Sequence, residues 1–105
     1  MASVVGRFVV PAEHPSLPGH FPGRPIVPGV VLLDHVLALI LGPGQRARTL
    51  SGVKFTAAVR PGETIEVTAA PSRTGPAGPA VAFAAFCAGK PVLRGTVGLD
   101  RAADA

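Results

Sequence analysis

The sequence predicts an α+β fold in which one helix lies on an antiparallel sheet. The only strong helical stretch, Gly29 to Leu41, is apolar on almost every side and has a boundary signal at each end. Four β-rich stretches follow it without a second helical pattern. The chain has 105 residues, too few for two cores of ordinary size, so we expect a single domain over residues 1–105.

Each element has its own signal. A β-branched run from Val4 to Val10 predicts the first strand, which Pro11 ends. Gly42-Pro43-Gly44 ends the helix. Further strands are predicted over 48–59, 64–69, 81–88 and 91–99, with turns at 60–63, 71–79 and 88–90 and a frayed tail over 100–105. A helix that is apolar all round needs cover, so we expect the sheet to wrap it.

Composition excludes several classes of protein. Hydrophobic residues make up 48 % and charged residues 15 %, which is too apolar for a disordered chain. The net charge is +4, but the basic residues are scattered along the chain. The chain also has no Trp or Tyr to stack on bases, so we do not expect nucleic-acid binding. No apolar stretch is long enough for a membrane span and the first residues do not resemble a signal peptide, which predicts a soluble, cytoplasmic protein. The single cysteine, Cys87, predicts no disulfide and an inert, buried thiol.

The chemistry-bearing segment begins in a long proline-rich loop, Pro11 to Pro28, whose composition suits a rigid loop better than a mobile one. This loop holds His20, and a histidine titrates close enough to neutral pH to serve as a general base. Gly29 opens the helix, where unpaired amides and the helix dipole stabilise developing negative charge. Asp34 lies among leucines and valines, where a carboxyl group tends to keep its proton and act as a general acid.

Each of these residues also has a structural interpretation. His20 is equally typical of a surface or capping residue, Gly29 of an ordinary helix start, and Asp34 of the one solvated edge of the helix. His35 does not share a helix face with Asp34, so we interpret it as structural or as a subunit contact. His14 is interpreted as loop packing, and Arg24 as either phosphate-binding or simply exposed.

The stretch from Pro18 to Asp34 resembles the active-site motif of the β-hydroxyacyl-acyl-carrier-protein dehydratases of the hot-dog superfamily. That motif runs His-Phe-x-Gly-x-Pro-x-x-Pro-Gly, followed by a carboxylate on the central helix. The matching residues here are His20, Phe21, Gly23, Pro25, Pro28, Gly29 and Asp34. A weaker similarity covers Lys54-Phe55 and the turn from Val59 to Glu63. The resemblance implies a hot-dog fold, a long central helix wrapped by a curved antiparallel sheet.

The resemblance also implies a reaction, the loss of water from a 3-hydroxyacyl thioester to give a trans-2-enoyl thioester in fatty-acid or polyketide-type synthesis. His20 would take the C2 proton, Asp34 would protonate the departing hydroxyl, and the Gly29 amide would hold the thioester carbonyl. The resemblance further implies that His20 of one subunit works with Asp34 of the other. Substrate contacts are expected at Phe21, Gly23, Pro28, Val30 and Leu33.

The expected partners are an acyl carrier protein bearing a phosphopantetheine-linked acyl chain and a second copy of the chain, since so short a chain is marginal as a monomer. Assembly beyond the dimer is left open. We expect neither a metal ion nor an organic cofactor. Two alternatives remain, a hot-dog acyl thioesterase, which the His-x8-Gly spacing disfavours, and a non-catalytic module that binds acyl chains or carrier protein.

Overall fold

The computed structural model describes residues 2–11, 26–75 and 78–101. Within these ranges it contains five strands and one helix, in the order strand, helix, and four strands. This order is the one that the sequence predicts. The elements are β1 (Ser3–Val9), α1 (Gly29–Ile40), β2 (Gln45–Phe55), β3 (Thr64–Gly75), β4 (Gly78–Cys87) and β5 (Lys90–Arg101).

All strand pairs in the sheet are antiparallel, and the strands lie in the order β1-β3-β4-β5-β2. Strands β3, β4 and β5 are neighbours in sequence and in space, as tight connections favour. Strands β1 and β2 occupy opposite edges, although only α1 and its flanking loops separate them in sequence. The connection that carries α1 therefore crosses from one edge of the sheet to the other, which lays the helix on one face.

The hydrophobic core lies between α1 and this face. The helix contributes Val31, Leu32 and Val36, all of them buried. Alternate residues of β3 and β4 face the helix, as the two-residue period of a strand requires, whereas β5 buries the adjacent Val92 and Leu93 beside its register shift against β4. These buried strand residues are Ile65 and Val67 of β3, Phe83 and Ala85 of β4, and Val92, Leu93 and Val97 of β5.

One side of the helix is left uncovered by the residues that the structure describes. Val30, Asp34 and Ala38 are exposed, and Val30 retains 70 % of its accessible surface. Residues four apart lie on one face of a helix, so the three form a single stripe. The sheet packs against one side of the helix, as the predicted fold requires, and the other described residues do not cover this stripe.

The helix approaches β1 very closely at Gly6. A Cβ atom added to Gly6 would lie 2.9 Å from Cδ2 of Leu39. The register between β1 and β3 shifts between Val4 and Gly6, which marks a bulge at this point. The absence of a side chain at Gly6 thus lets the last turns of α1 lie directly on the first strand.

Two strand boundaries differ from the prediction near β2 and β5. The strand predicted over 48–59 runs from Gln45 to Phe55, and Thr56 makes the last bonds to β5, from its amide to the Val92 carbonyl (2.9 Å) and from its hydroxyl to the Pro91 carbonyl (2.9 Å). The chain then leaves the sheet. The predicted frayed tail is also wrong at its start, since Asp100 and Arg101 pair with β2.

The predicted turn at 71–79 is mostly strand. Residues Pro71 to Gly75 extend β3 and pair with β4, with Pro71 opposite Val81 and Gly75 opposite Gly78. Proline discourages a strand because it lacks an amide donor, yet the pairing of β1 with β3 reaches only to Ala69. Beyond that point β3 needs donors on one side only, so Pro71 is accommodated.

Among the described residues, no helix has the length and apolar character needed to cross a membrane.

Candidate active site

An open apolar groove of about 630 Å³ lies beside the start of α1. One wall is the helix start and the residues before it, and the other is the stretch that follows β2. Its volume is within the range of small-molecule sites in proteins. The lining residues are Ile26, Val27, Gly29, Val30 and Leu32 on the first wall and Phe55, Thr56, Ala57, Ala58 and Val59 on the second.

The helix start presents backbone donors to this groove. Pro28 has an extended backbone (φ −59°, ψ 144°), and its carbonyl accepts hydrogen bonds from the amides of Val31 (3.0 Å) and Leu32 (3.3 Å). Helix geometry leaves the amide of Gly29 without an acceptor inside the helix. The first turn contains no acidic residue to offset the positive end of the helix dipole. An oxygen that approaches Gly29 would therefore be stabilised as it gains negative charge.

Gly29 lies in contact with an aromatic ring. A Cβ atom added at this position would lie 2.9 Å from Cε1 and Cζ of Phe55 and 3.2 Å from Cε2. A real Cβ atom does not approach other atoms so closely, so the ring occupies the space that any larger residue would need. Glycine at position 29 thus leaves the Phe55 ring where it is, whereas a larger residue would push the ring aside.

Both ends of segment 12–25, which contains His20, are fixed to one stretch of chain. On one side, the carbonyl of the buried Val10 accepts a hydrogen bond from the Gly62 amide (2.8 Å). On the other, the buried Val27 donates its amide to the Val59 carbonyl (2.8 Å). The turn between these anchors is itself closed by the Glu63 carboxylate, which accepts from the Arg60 amide (2.7 Å).

Asp34 is exposed on the stripe that it shares with Val30 and Ala38. The apolar surroundings expected from its sequence neighbours are wrong for the single chain, because Leu32 and Val36 point into the core. Five residues along a helix turn through about 140°, so Asp34 projects from a different side than Gly29 does. One chain therefore does not bring Gly29 and Asp34 to the same face of the helix.

Several predicted site residues lie outside the described residues, namely His20, Phe21 and Gly23, together with His14, Pro25 and Arg24. Their roles stay predictions. Of the others, Pro28 supplies the first acceptor of the helix and Val30 lines the groove. Leu33 packs against the core and is half-buried, while the neighbouring Leu32 is the residue that reaches the groove.

Sequence reasoning missed the second wall of the groove. The sequence predicts a strand over residues 56–59. Phe55 stands out in the sequence only through its similarity to the family's strand and turn. No local pattern distinguishes a groove wall from a buried strand end, since both are short and apolar. The only usable signal was that similarity around Lys54-Phe55.

His35 and Cys87 belong to the framework. The Nδ1 atom of His35 lies 2.9 Å from the Val31 carbonyl, and its ring stacks on Phe8 at a centroid distance of 4.8 Å. This packing agrees with the structural interpretation of His35. Cys87 is half-buried rather than fully buried, and burial and then the charge and hydrogen bond of Glu63 raise the pKa of its thiol.

Solved structures with the same architecture define the class of the protein. The dehydratase heterocomplex ApeI:P from Xenorhabdus doucetiae aligns with a TM-score of 0.71, covering 96 % of this chain and 99 % of that chain at 21 % identity. The fluoroacetyl-CoA thioesterase FlK aligns with a TM-score of 0.65, covering 99 % of this chain and 88 % of that chain at 21 % identity. At such identities the likeness concerns the fold, and the predicted hot-dog fold is confirmed.

The family follows from the sequence. A family model described as ApeI-like, ApeI dehydratase, matches residues 1–96. The chain belongs to the ApeI-like dehydratase family. The resemblance to hot-dog dehydratases is thereby confirmed.

Curated relatives carry the name 3-hydroxyacyl-acyl-carrier-protein dehydratase FabZ. The one from Gluconacetobacter diazotrophicus is 33 % identical over an alignment 78 residues long, which covers 63 % of this chain and 48 % of the relative. The one from Thermomicrobium roseum is 36 % identical over an alignment 73 residues long, which covers 60 % of this chain and 49 % of the relative. The chain thus spans about half the length of the curated relatives that it matches.

Proposed function

We propose that the protein removes water from a 3-hydroxyacyl thioester, carried by an acyl carrier protein, to give a trans-2-enoyl thioester in fatty-acid or polyketide-type synthesis. The observation that carries the proposal is the start of α1, where the Gly29 amide opens onto an apolar groove. An acyl chain fits an apolar groove, and a carbonyl oxygen fits the positive end of a helix. Membership of a dehydratase family supports the same reaction.

The proposed chemistry is an elimination with one base and one acid. His20 accepts the proton from C2, and the electron pair moves toward the thioester carbonyl, whose oxygen gains negative charge beside the Gly29 amide. As the pair returns to form the C2–C3 double bond, the C3–O bond breaks. Asp34 gives its proton to the departing hydroxyl, which leaves as water. Phe21, Gly23, Pro28, Val30 and Leu33 are proposed as substrate contacts.

We further propose that His20 and Gly29 of one chain act with Asp34 of a second copy. Within one chain Asp34 projects away from the Gly29 side of the helix and is exposed. The uncovered helix stripe and the exposed edge strand β2, where Leu50 keeps 43 % of its surface, offer apolar area to a second chain. In such a homodimer, contact with the partner would give Asp34 the apolar surroundings that a general acid needs.

The proposed carrier partner agrees with the charges around the groove. Lys54 and Arg60 are exposed and flank in sequence the wall formed by residues 55–59. A phosphopantetheine phosphate or an acidic carrier surface would meet these cations on approach. The net charge of +4 acts in the same direction. We propose that this chemistry takes place in the cytoplasm.

The direct test is the reverse reaction, hydration of a 2-enoyl thioester, followed by the loss of its absorbance. We expect turnover by the wild type and a loss of about a hundredfold or more in both His20→Ala and Asp34→Asn, since general acid–base groups contribute on that scale. Glu66→Gln is the matched control, because it also converts a carboxylate to an amide but lies on the other face of the sheet, paired with Arg7. Full activity in both site variants would refute the assignment.

The thioesterase alternative has a support of its own in the fold shared with FlK. The same assay separates the two reactions, because hydrolysis releases a free thiol and hydration does not. Thiol release without hydration would replace the proposed dehydratase with a thioesterase.

A further inference from the structure

The two walls of the groove differ in the size of their side chains. The wall after β2 is built from Thr56, Ala57, Ala58 and Val59, which are small or short. Phe55 is the exception, a full aromatic ring at the end of this wall nearest Gly29. Because the other side chains of this wall project only a short way into the groove, the ring is the largest obstacle to a bound acyl group at this end.

The ring keeps one edge on Gly29 and leaves much of its surface open. Three of its carbons, Cε1, Cζ and Cε2, occupy the space where a Cβ atom of residue 29 would lie, while 49 % of the residue stays accessible. A side chain that was needed only to fill the core would be buried, as Leu93 opposite it in β5 is. Phe55 therefore presents an aromatic surface to whatever lies beside the Gly29 amide.

The backbone behind the ring is held firmly. Phe55 pairs with Leu93, and the next residue, Thr56, binds β5 through both its amide and its hydroxyl. The ring can rotate about its side-chain bonds, but its Cα atom cannot retreat from the helix without breaking these bonds. A wide substituent in the groove therefore clashes with the ring unless the ring rotates away, because the backbone cannot move to make room.

We propose that Phe55 sets the width of acyl group that the site accepts next to the thioester carbonyl, a specificity role that rests on the proposed dehydratase function. With the carbonyl on Gly29, the carbons nearest to it lie within reach of the ring. Unbranched acyl groups pass along the exposed surface of the ring in the groove, whereas groups branched at C4 collide with the ring. Phe55 excludes them by size, and its ring also keeps water away from the carbonyl.

The test compares two enoyl thioesters of pantetheine that differ in width near the carbonyl, 2-hexenoyl and 4,4-dimethyl-2-pentenoyl. For the wild type we expect a higher kcat/KM with the linear substrate. Phe55→Ala should raise the branched-to-linear ratio of kcat/KM about tenfold or more, which is the scale on which a pocket discriminates such groups, and Phe55→Leu should lie between. A ratio that stays within twofold of the wild type in Phe55→Ala would overturn the proposal.

Phe86→Ala is the matched control. Phe86 lies opposite Glu66 on the face of the sheet away from the helix, is also only partly buried, and is not part of the groove lining. Its removal should lower stability without changing the branched-to-linear ratio. An equal change of the ratio in both alanine variants would indicate general loosening and would refute a specific role of Phe55.

A binding measurement separates this proposal from the proposed function. Hexanoyl and 4,4-dimethylpentanoyl pantetheine lack the double bond and cannot react, so their affinities, measured by calorimetry, report the groove alone. If the wild type hydrates neither enoyl substrate, the dehydratase function fails. The width proposal then stands only if Phe55→Ala still raises the relative affinity for the branched ligand, and it falls if the relative affinity is unchanged.

Discussion

Gly29 and Asp34 are constrained in opposite ways, although only five positions separate them. Gly29 has no room for a side chain, because the Phe55 ring fills the space where a Cβ atom would lie. Asp34 has open space around it, since it belongs to the uncovered stripe of α1. The first residue is fixed by packing within the chain, and the second gains its proposed role from contact with another chain.

Cys87 offers a test of local electrostatics away from the proposed site. Burial raises the pKa of its thiol, and the carboxylate of Glu63 raises it further by charge and by a hydrogen bond. A raised pKa means less thiolate at a given pH, and the thiolate is the species that reacts with alkylating agents. We therefore expect alkylation of the folded protein by iodoacetamide to be slower than that of a free thiol at pH 8.

Glu63→Gln is the informative variant for this thiol. It removes the negative charge and keeps an oxygen that can accept from the Arg60 amide. The midpoint of alkylation rate against pH should move down but stay above that of a free thiol, because burial remains. A midpoint that is the same in the variant and the wild type would show that Glu63 does not act on Cys87.

At the level of elements, the hairpin between β4 and β5 contains a strained residue. Ala88 has φ of +50° and Gly89 has φ of +79°, so both central residues of the turn are left-handed. Such turns favour Asn-Gly, because an L-residue with an ordinary Cβ is disfavoured at positive φ. The sequence predicts this turn correctly but places alanine where asparagine fits better.

Ala88→Asn should therefore stabilise the protein by about 1 kcal/mol, which would raise Tm by several degrees for a chain of this size. Thermal unfolding at one fixed protein concentration measures the change. Gly89→Ala is the opposing control and should lower Tm, since it places a Cβ at a φ of +79°. A fall in Tm for Ala88→Asn would contradict the assigned turn geometry.

The elements divide into those that local sequence determines and those that it does not. The predicted helix, 29–41, differs from the observed Gly29–Ile40 by one residue, because Pro28-Gly29 and Gly42-Pro43-Gly44 act locally. The ends of β2 and β3 were wrong, because the chain leaves the sheet after Thr56, whose bonds to β5 are the last on this strand, and Pro71 is tolerated where β1 no longer pairs. Both depend on partners distant in sequence.

The same division applies to the candidate site. Gly29 was predicted at the helix start and is found there, because its position follows from a local boundary signal. The Phe55 wall was not predicted, since its contact with Gly29 arises only when β2 and α1 come together. The exposure of Asp34 was left open by the sequence, because an apolar helix has no marked polar face from which to read its orientation.

At the scale of the whole molecule, the proposed assembly has a decisive test in mixed dimers. His20→Ala and Asp34→Asn each disable a site that draws His20 from one chain and Asp34 from the other. A mixed C2 dimer would keep one of its two sites intact. Random reassortment of equal amounts makes about half of the dimers mixed, so about a quarter of wild-type hydration activity should return. Neither variant alone should show this activity.

The control for this experiment mixes the variants without exchange of subunits, for example at low temperature directly after dilution. Activity should appear only as subunits reassort. If the mixture stays inactive after full exchange, each site is contained in one chain, and the shared-site proposal is wrong. Light scattering measures the oligomeric state independently. A fully active monomer would also contradict the shared-site proposal.

The anchors at Val10 and Val27 have a consequence for how this fold changes over time. Val10 and Val27, which flank segment 12–25, are bound to Gly62 and Val59, so the framework holds the two points between which the segment runs. The entropy of closing a loop grows only with the logarithm of its length, so inserted residues add little to its cost. The segment that supplies the proposed base can therefore be replaced or lengthened while the sheet and helix stay the same, which makes the chemistry of this scaffold exchangeable.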